Sequence, residues 1–333
     1  MPEIRHNPIT GDWVIIATER AKRPEEFVRP KERKVKPSFS PDCPFCPGNE
    51  DKSPGEMFRV EGAKEGWTVR SVPNKFSALI PVGNAARIEN GIRKRIDGVG
   101  LHEVIIETPD HNGSLSRLPL SQVESILLAY QSRFLAFYQD ERIKHVILFK
   151  NHGEAAGTSM EHPHSQIVGT PVVPGLIRIR VEEALRYYGN FGECLYCRSL
   201  RQELADGVRV VVENSSFAAF LPYAALSPFH LWIFPKRHGA CFSNIAHGEL
   251  EQLAVILKEV LLRVDVGLED PDYNVIFRSL PPEEGSVKYF HWYLSIVPRV
   301  TRAAGFELGT GMFINTALPE KSAEFLRGIR LPG

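Results

Sequence analysis

Glu161-His162-Pro163-His164-Ser165-Gln166-Ile167-Val168 is the stretch on which the rest of the chain can be hung. Successive residues of an extended strand point to opposite faces, so His162, His164 and Gln166 would share one face. Pro163 stiffens the backbone between the two imidazoles. Just upstream, Asn151-His152-Gly153-Glu154-Ala155-Ala156-Gly157-Thr158-Ser159 is a run of small residues, which lets backbone amides approach an anion. A histidine beside a phosphate-sized nest suits phosphoryl or nucleotidyl chemistry. An HxH pair alone suits a metal site or a hydrogen-bonded core pair equally well, and other parts of the chain must decide.

The chain has 333 residues, 43% hydrophobic and 24% charged, enough to bury two cores or one duplicated one. Lys plus Arg and Asp plus Glu each number 40, so no net field draws it to nucleic acid or an anionic membrane. Met1 to Asp12 is polar, and no apolar run reaches bilayer-spanning length. A cytoplasmic protein is expected. Four of the five cysteines form two CxxC pairs, Cys43/Cys46 and Cys194/Cys197. In a reducing compartment such pairs bind zinc or exchange electrons. Cys241 reads as core filler.

Trp13 to Ala17, Trp67 to Val72, His102 to Thr108 and His145 to Lys150 read as strands, and Glu25 to Pro41 as a proline-rich loop. Ser121 to Tyr138 places Val123, Ile126, Leu127, Tyr130, Phe134, Leu135 and Tyr138 on one helical face. The second half repeats the plan. Val208 to Phe217 resembles Val69 to Phe76, Phe229 to His238 resembles the strand ending at His111, and Leu250 to Leu261 marks a second helix. Tyr273 to Phe277 follows as a strand, and His291 to Val297 matches His162 to Val168. His111 and His162 are 51 residues apart, and His238 and His291 are 53 apart. The plan divides the chain into 1–183 and 184–333.

The duplication sorts the histidines, because Tyr293 stands where His164 would repeat. Both halves share two cysteines and two histidines: Cys43, Cys46, His111, His162 and Cys194, Cys197, His238, His291. Two thiolates with two imidazoles make a closed tetrahedral zinc set of the structural kind. A redox CxxC needs no histidines at matching offsets. His164 is left over in one half only, and neutral imidazole is a competent nucleophile at phosphorus. Gln166 on the same face can donate to a phosphoryl oxygen.

HPHSQ with its preceding NxG…GxS loop resembles the active-site signature of the galactose-1-phosphate uridylyltransferase family, in the histidine-triad superfamily. Arg20-Ala-Lys-Arg23-Pro, Cys43-Pro-Phe-Cys46-Pro-Gly-Asn, Val72-Pro-Asn74-Lys-Phe76 and Pro109-Asp-His111 also fall in family order. The resemblance implies an α+β fold: a duplicated histidine-triad-like antiparallel sheet with helices packed on it. It also implies a homodimer and ping-pong chemistry. His164 would attack the α-phosphorus of UDP-glucose, releasing glucose 1-phosphate, and galactose 1-phosphate would take the uridylyl group. Asn74 and Phe76 would meet base and ribose, with Arg20 and Arg23 nearby. Asn151, Gly157, Ser159 and Gln166 would hold phosphates, and Phe306 would lie at the hexose end. The first zinc set matches too.

Two departures stand out. Lys75 replaces an aspartate of the enterobacterial-type enzyme, and Thr310-Gly311 stands where a Tyr-Glu pair contacts hexose. HPHSQ, the second CxxC and Gly305 to Gly311 also resemble the ADP-glucose phosphorylases, which pass an adenylyl group to phosphate. A non-catalytic zinc-stabilised nucleotide-binding module is the reading from another class, and the intact HPH with Gln166 argues against it. Gln166 in place of a third histidine disfavours a hydrolase. His6, His102, His145, His230 and His247 read as surface or core residues, while His152 lies in the loop near the expected substrate.

Overall fold

Short apolar and β-branched runs bounded by Gly, Pro and Asn condense into strands, and the computed structural model describes them over residues 1–17, 23–28, 37–62 and 66–332. The first seven are β1 (Glu3–His6), β2 (Trp13–Ile16), β3 (Phe58–Glu61), β4 (Trp67–Pro73), β5 (Ile88–Asn90), β6 (Arg93–Arg95) and β7 (Leu101–Ile106). Helix α1 (Leu120–Phe137) leads to β8 (His145–His152) and β9 (His164–Thr170). Helices α2 (Gly175–Phe191) and α3 (Leu195–Asp206) precede β10 (Val210–Glu213), β11 (Phe217–Phe220) and β12 (Leu231–Pro235). Then come α4 (His247–Gly267), β13 (Tyr273–Arg278), β14 (Tyr293–Pro298), α5 (Gly305–Thr310), β15 (Phe313–Asn315) and α6 (Pro319–Gly328).

Ten strands form one sheet in the order β10-β11-β12-β14-β13-β8-β9-β7-β4-β3. Every pairing in it is antiparallel. The order reads the same outward from its centre in both directions, so β8, β9, β7, β4 and β3 correspond to β13, β14, β12, β11 and β10. The halves join through β8 and β13, from Tyr273↔His152 to Phe277↔Leu148. The fold is α+β and duplicated, as expected. A separate small sheet joins β1, β2 and β15, with β15 parallel to β2.

Strand alternation supplies two faces. Phe217, Ala219, Leu231, Ile233, Leu294 and Ile296 point to the main core with α1 and α4. Ala218, Phe220, Trp232, Phe234 and Tyr293 point the other way and are covered by Leu195, Tyr196 and Leu200 of α3 and Ala184 of α2. In the first half that second face carries Val104 and Ile106 under the loop of Cys43, Phe45 and Cys46, and leaves an open cleft beside it.

Three readings need correction. Helix α1 begins and ends one residue earlier than the spacing suggests, and Leu135 is turned outward at 40% exposure. The counterpart of β4 is β11, not β10: β10 lies at the sheet edge like β3, and Asn214 belongs to the β10–β11 turn, accepting from Ser216 and Phe217 amides. By register Leu221-Pro222 after β11 therefore corresponds to Pro73-Asn74. Short apolar strands look alike in one dimension, and only sheet position separates them. The region between 175 and 206 carried no assignment and is helical. Few residues of α2 are buried, Ile177 and Ala184, so its apolar stripe is thin.

Helix α1 is fixed to the sheet by a buried ion pair. Arg133 Nε and Nη2 donate to the two oxygens of Glu103 at 2.8 and 2.6 Å, and Ser71 Oγ donates to Glu103 Oε2 at 2.6 Å. Glu103 is 4% and Arg133 9% exposed, so removing one partner strands a charge. Arg133→Leu is expected to destabilise the fold by about 3–5 kcal/mol, read from the shift of the urea midpoint. A loss below about 1 kcal/mol would place the pair among exposed bridges.

Candidate functional site

Cys43 and Cys46 lie on a loop over β7, His111 follows β7, and His162 enters β9. Their donor atoms all lie within 4.8 Å of one another. His162 Nδ1 is 3.6 Å from both Cys43 Sγ and Cys46 Sγ, and His111 Nδ1 is 3.4 Å from Cys46 Sγ. His162 Nε2–H donates to the Thr108 carbonyl at 2.8 Å. That bond fixes the tautomer with its Nδ1 lone pair facing the thiols, as a ligating imidazole requires. Burial pushes the His162 imidazole down to about 4, which keeps it neutral.

The second group repeats this chemistry. Cys194 caps α3, which begins inside the CxxC. Cys197 Sγ lies 3.2 Å from His238 Nδ1 and 3.4 Å from His291 Nδ1. The far nitrogens donate to Val287 and Pro235 carbonyls, both at 2.9 Å. These four donors also lie within 4.8 Å of one another. Both sets of four are therefore brought together, each with soft thiols, correctly turned imidazoles and little solvent.

His164 opens β9, opposite Ile106 of β7, and is 6% exposed. Its Nδ1–H donates to the His162 carbonyl at 2.9 Å, leaving the Nε2 lone pair with no partner among the described residues. Burial lowers the His164 pKa, and the Lys150 charge adds to this against the raising effect of the His162 hydrogen bond. The neutral form of the imidazole is thus favoured, and the nitrogen that carries its lone pair is defined. Phe45 packs 5.7 Å from it, centroid to centroid.

Beneath it runs a network that the sequence did not reveal. Lys150 Nζ donates to Glu107 Oε2 at 2.6 Å and to the His164 carbonyl at 3.2 Å. Tyr130 donates to Glu107 Oε1 at 2.8 Å, where the Ser165 hydroxyl also donates. Burial works to raise the Glu107 carboxyl, but Lys150 and the two hydroxyls hold it below the usual range. The available signal was a Lys and a Glu inside apolar strands, at Phe149-Lys150-Asn151 and Ile106-Glu107-Thr108.

The loop after β8 shapes the cleft. Gly153 has φ of 83° and a Cβ there would lie 2.0 Å from Asp272 Oδ1, so no other residue fits. Asn274 Nδ2 donates to Asn151 Oδ1 and to the Ala156 carbonyl, both at 2.9 Å. The Asn151 amide is thereby turned so that Nδ2 remains a donor beside Gly157. His152 stacks on Tyr273 at 4.6 Å and donates to Asp270 at 3.2 Å. Asn151, Ser159, His162 and His164 line one cavity of about 450 Å³, with Lys150 and His152.

Gln166 stands one pleat beyond His164 on β9, beside Asn74 and His102. These three lie outside the residues lining that cavity. Phe76 is 86% exposed, Arg23 precedes the short turn of helix Pro24–Phe27, and Phe306 on α5 is 43% exposed. None of the three lines the cavity, and Arg20 lies outside the described residues. His145 and His230 are buried, as a core reading expects, and His6 and His247 are exposed.

Known proteins match this arrangement along the whole chain. Residues 1–174 match the galactose-1-phosphate uridyl transferase N-terminal domain, and residues 180–323 its C-terminal domain. An ADP-glucose phosphorylase of Arabidopsis thaliana is 36% identical over 99% of this chain and 93% of its own length. A galactose-1-phosphate uridylyltransferase of Thermotoga maritima is 29% identical over 98% of each. The crystal structure of an Arabidopsis thaliana ADP-glucose phosphorylase with bound ADP-glucose superposes with a TM-score of 0.84 at 33% identity, covering 100% of both chains. With both family domains matched in order along nearly the whole chain, the chain belongs to the galactose-1-phosphate uridylyltransferase family of nucleotidyltransferases.

Proposed function

We propose that the chain carries a nucleotidyl group from a nucleotide sugar, through His164, to a phosphate-bearing acceptor. The observation that carries this is the His164 tautomer, with Nδ1–H bound to the His162 carbonyl and Nε2 free. Nε2 attacks the α-phosphorus. The N–P bond forms as the bond to the bridging oxygen breaks, and the sugar 1-phosphate leaves with that electron pair. An acceptor phosphate oxygen then attacks the same phosphorus and the N–P bond returns its electrons to His164. Gln166 and Asn151 donate to phosphate oxygens as charge shifts between them, with Ser159 and Gly157 shaping the nest.

By motif order the pair would be UDP-glucose and galactose 1-phosphate, a hexose-1-phosphate uridylyltransferase. A second reading has its own support: the 36% identity to an ADP-glucose phosphorylase and Thr310-Gly311 at the hexose end. In it ADP-glucose donates and inorganic phosphate accepts. Asn74, Phe76, Arg20, Arg23 and Phe306 belong to the same proposal as contacts to nucleotide and sugar. So do the division at 183, which falls within α2, the homodimer and the cytoplasmic location, which rest on the family resemblance and the absence of a spanning helix among the described residues. Zinc at both Cys/His groups is proposed from their donor chemistry. A bound zinc there supplies structural cross-linking, and His162 carries that rigidity to the nucleophile.

Intact mass after incubation with UDP-glucose or ADP-glucose, without acceptor, decides between the donors. A uridylyl- or adenylyl-sized gain is expected with one of them, lost entirely in His164→Ala. A gain retained in that variant would reject the nucleophile. Because burial lowers the His164 pKa, the neutral form persists as pH falls through about 6.5. The rate of adduct formation should stay level across that point and fall only below it. A midpoint at the ordinary histidine value would contradict the burial effect. Strong chelation is expected to remove two zinc ions per chain and lower the melting temperature, and Cys43→Ser to retain one. Full metal content in that variant would exclude the first set.

A further inference from the structure

His102 was read as a surface or core histidine, yet it touches the two amides assigned to substrate. Its Nε2 lies 2.9 Å from Gln166 Oε1 and 3.0 Å from Asn74 Nδ2. Its Nδ1 is buried and unpartnered. A buried orphan N–H costs more than a buried orphan lone pair, so the proton belongs on Nε2. The chain of donors then runs in one direction. The Phe76 amide donates to Asn74 Oδ1 at 2.9 Å, which turns Asn74 Nδ2 toward Gln166 Oε1 at 3.5 Å. His102 Nε2–H donates to the same oxygen, so its 3.0 Å approach to Asn74 Nδ2 is the side-by-side packing of two donors on one acceptor and not a hydrogen bond between them.

Strand register sets which side of Gln166 this is. On β7, Ile106 pairs with His164, Val104 with Gln166 and His102 with Val168. His102 therefore holds the Gln166 oxygen on the side away from His164, and the amide NH2 is left on the side of the nucleophile. The other half preserves the pairing without the chemistry: His230 Nε2 lies 2.8 Å from Ser295 Oγ, again with Nδ1 buried and unpartnered. By sheet position His230 corresponds to His102, Ser295 to Gln166 and Tyr293 to His164.

We propose that His102 is a positioning residue that fixes the Gln166 amide with its NH2 group facing the phosphoryl group at His164. Amide orientation is otherwise a two-fold choice of nearly equal shape, and the reversed amide would present an oxygen to an anion. The proposal rests on the His164 reading for its catalytic consequence, while the tautomer of His102 does not.

The first test is therefore made without substrate. Ring 15N shifts of 15N-histidine-labelled protein, with His102 assigned by its absence in His102→Gln, should report the Nε2–H tautomer. An Nδ1–H tautomer overturns the proposal whatever the activity. The second is single-turnover adduct formation with the donor nucleotide sugar. His102→Ala should slow it about 10- to 100-fold with little change in half-saturating donor, and Gln166→Ala about 100-fold or more. The double variant should be no slower than Gln166→Ala alone, since one residue acts through the other. His102→Gln, which retains a donor, should recover part of the rate, and His230→Gln should leave it unchanged. Multiplying effects in the double variant, or an unchanged rate in His102→Ala, would sink the proposal. Absence of adduct in the wild type with every nucleotide sugar would instead reject the His164 reading.

Discussion

One hydrogen bond ties stability to chemistry in this fold: His164 Nδ1–H to the carbonyl of His162. His162 is held on both sides, by its Nε2 bond to Thr108 and by the thiols at its Nδ1. Its carbonyl therefore cannot wander, and the His164 imidazole two residues on inherits that rigidity. A catalytic imidazole must be held to a fraction of an ångström, and here a cross-linking cluster does so through a single peptide unit.

Beneath His164, Glu107 and Lys150 form a buried ion pair. Buried pairs of this kind contribute little net stability, because desolvation offsets their attraction. Their effect at this site is electrostatic and geometric. Lys150 grips the His164 carbonyl while its charge opposes protonation of the imidazole. Glu107 balances that charge and, by accepting from Ser165 and Tyr130, ties β9 to helix α1. Support for the site thus arrives from the core side of the sheet as well as from the cleft.

The two Cys/His groups, which the structure brings together, were legible because metal ligation demands particular side chains at particular offsets, and the duplication supplied an internal control that set His164 apart. Glu107 and Lys150 were not, since a charge within an apolar strand reads equally as an exposed position. The match of Asn214 to Asn74 failed for a geometric reason. Strands β10 and β11 carry similar short apolar runs, and only hydrogen-bonded neighbours distinguish the outer from the inner one. His102 was invisible for a third reason: its significance depends on which amide lies across a strand, and register is set by the whole sheet. Helix α2 escaped because it buries few residues, Ile177 and Ala184, and α3 because its buried stripe of Tyr196, Leu200 and Glu203 is short and ends on a charged residue.

The seam where β8 meets β13 has a consequence for how such a chain can be divided. Each half contributes its innermost strand to a ladder that the other completes, so neither half owns a closed sheet. Severed at the connection between them, each fragment would bare a row of unpaired amides and carbonyls along an apolar strand, a surface that recruits whatever strand is nearest. The two copies are consequently bound to a shared fate. One copy carries Tyr293 where the other has His164 and covers its second face with α3, yet it cannot be cut away, because it remains the other copy's missing edge.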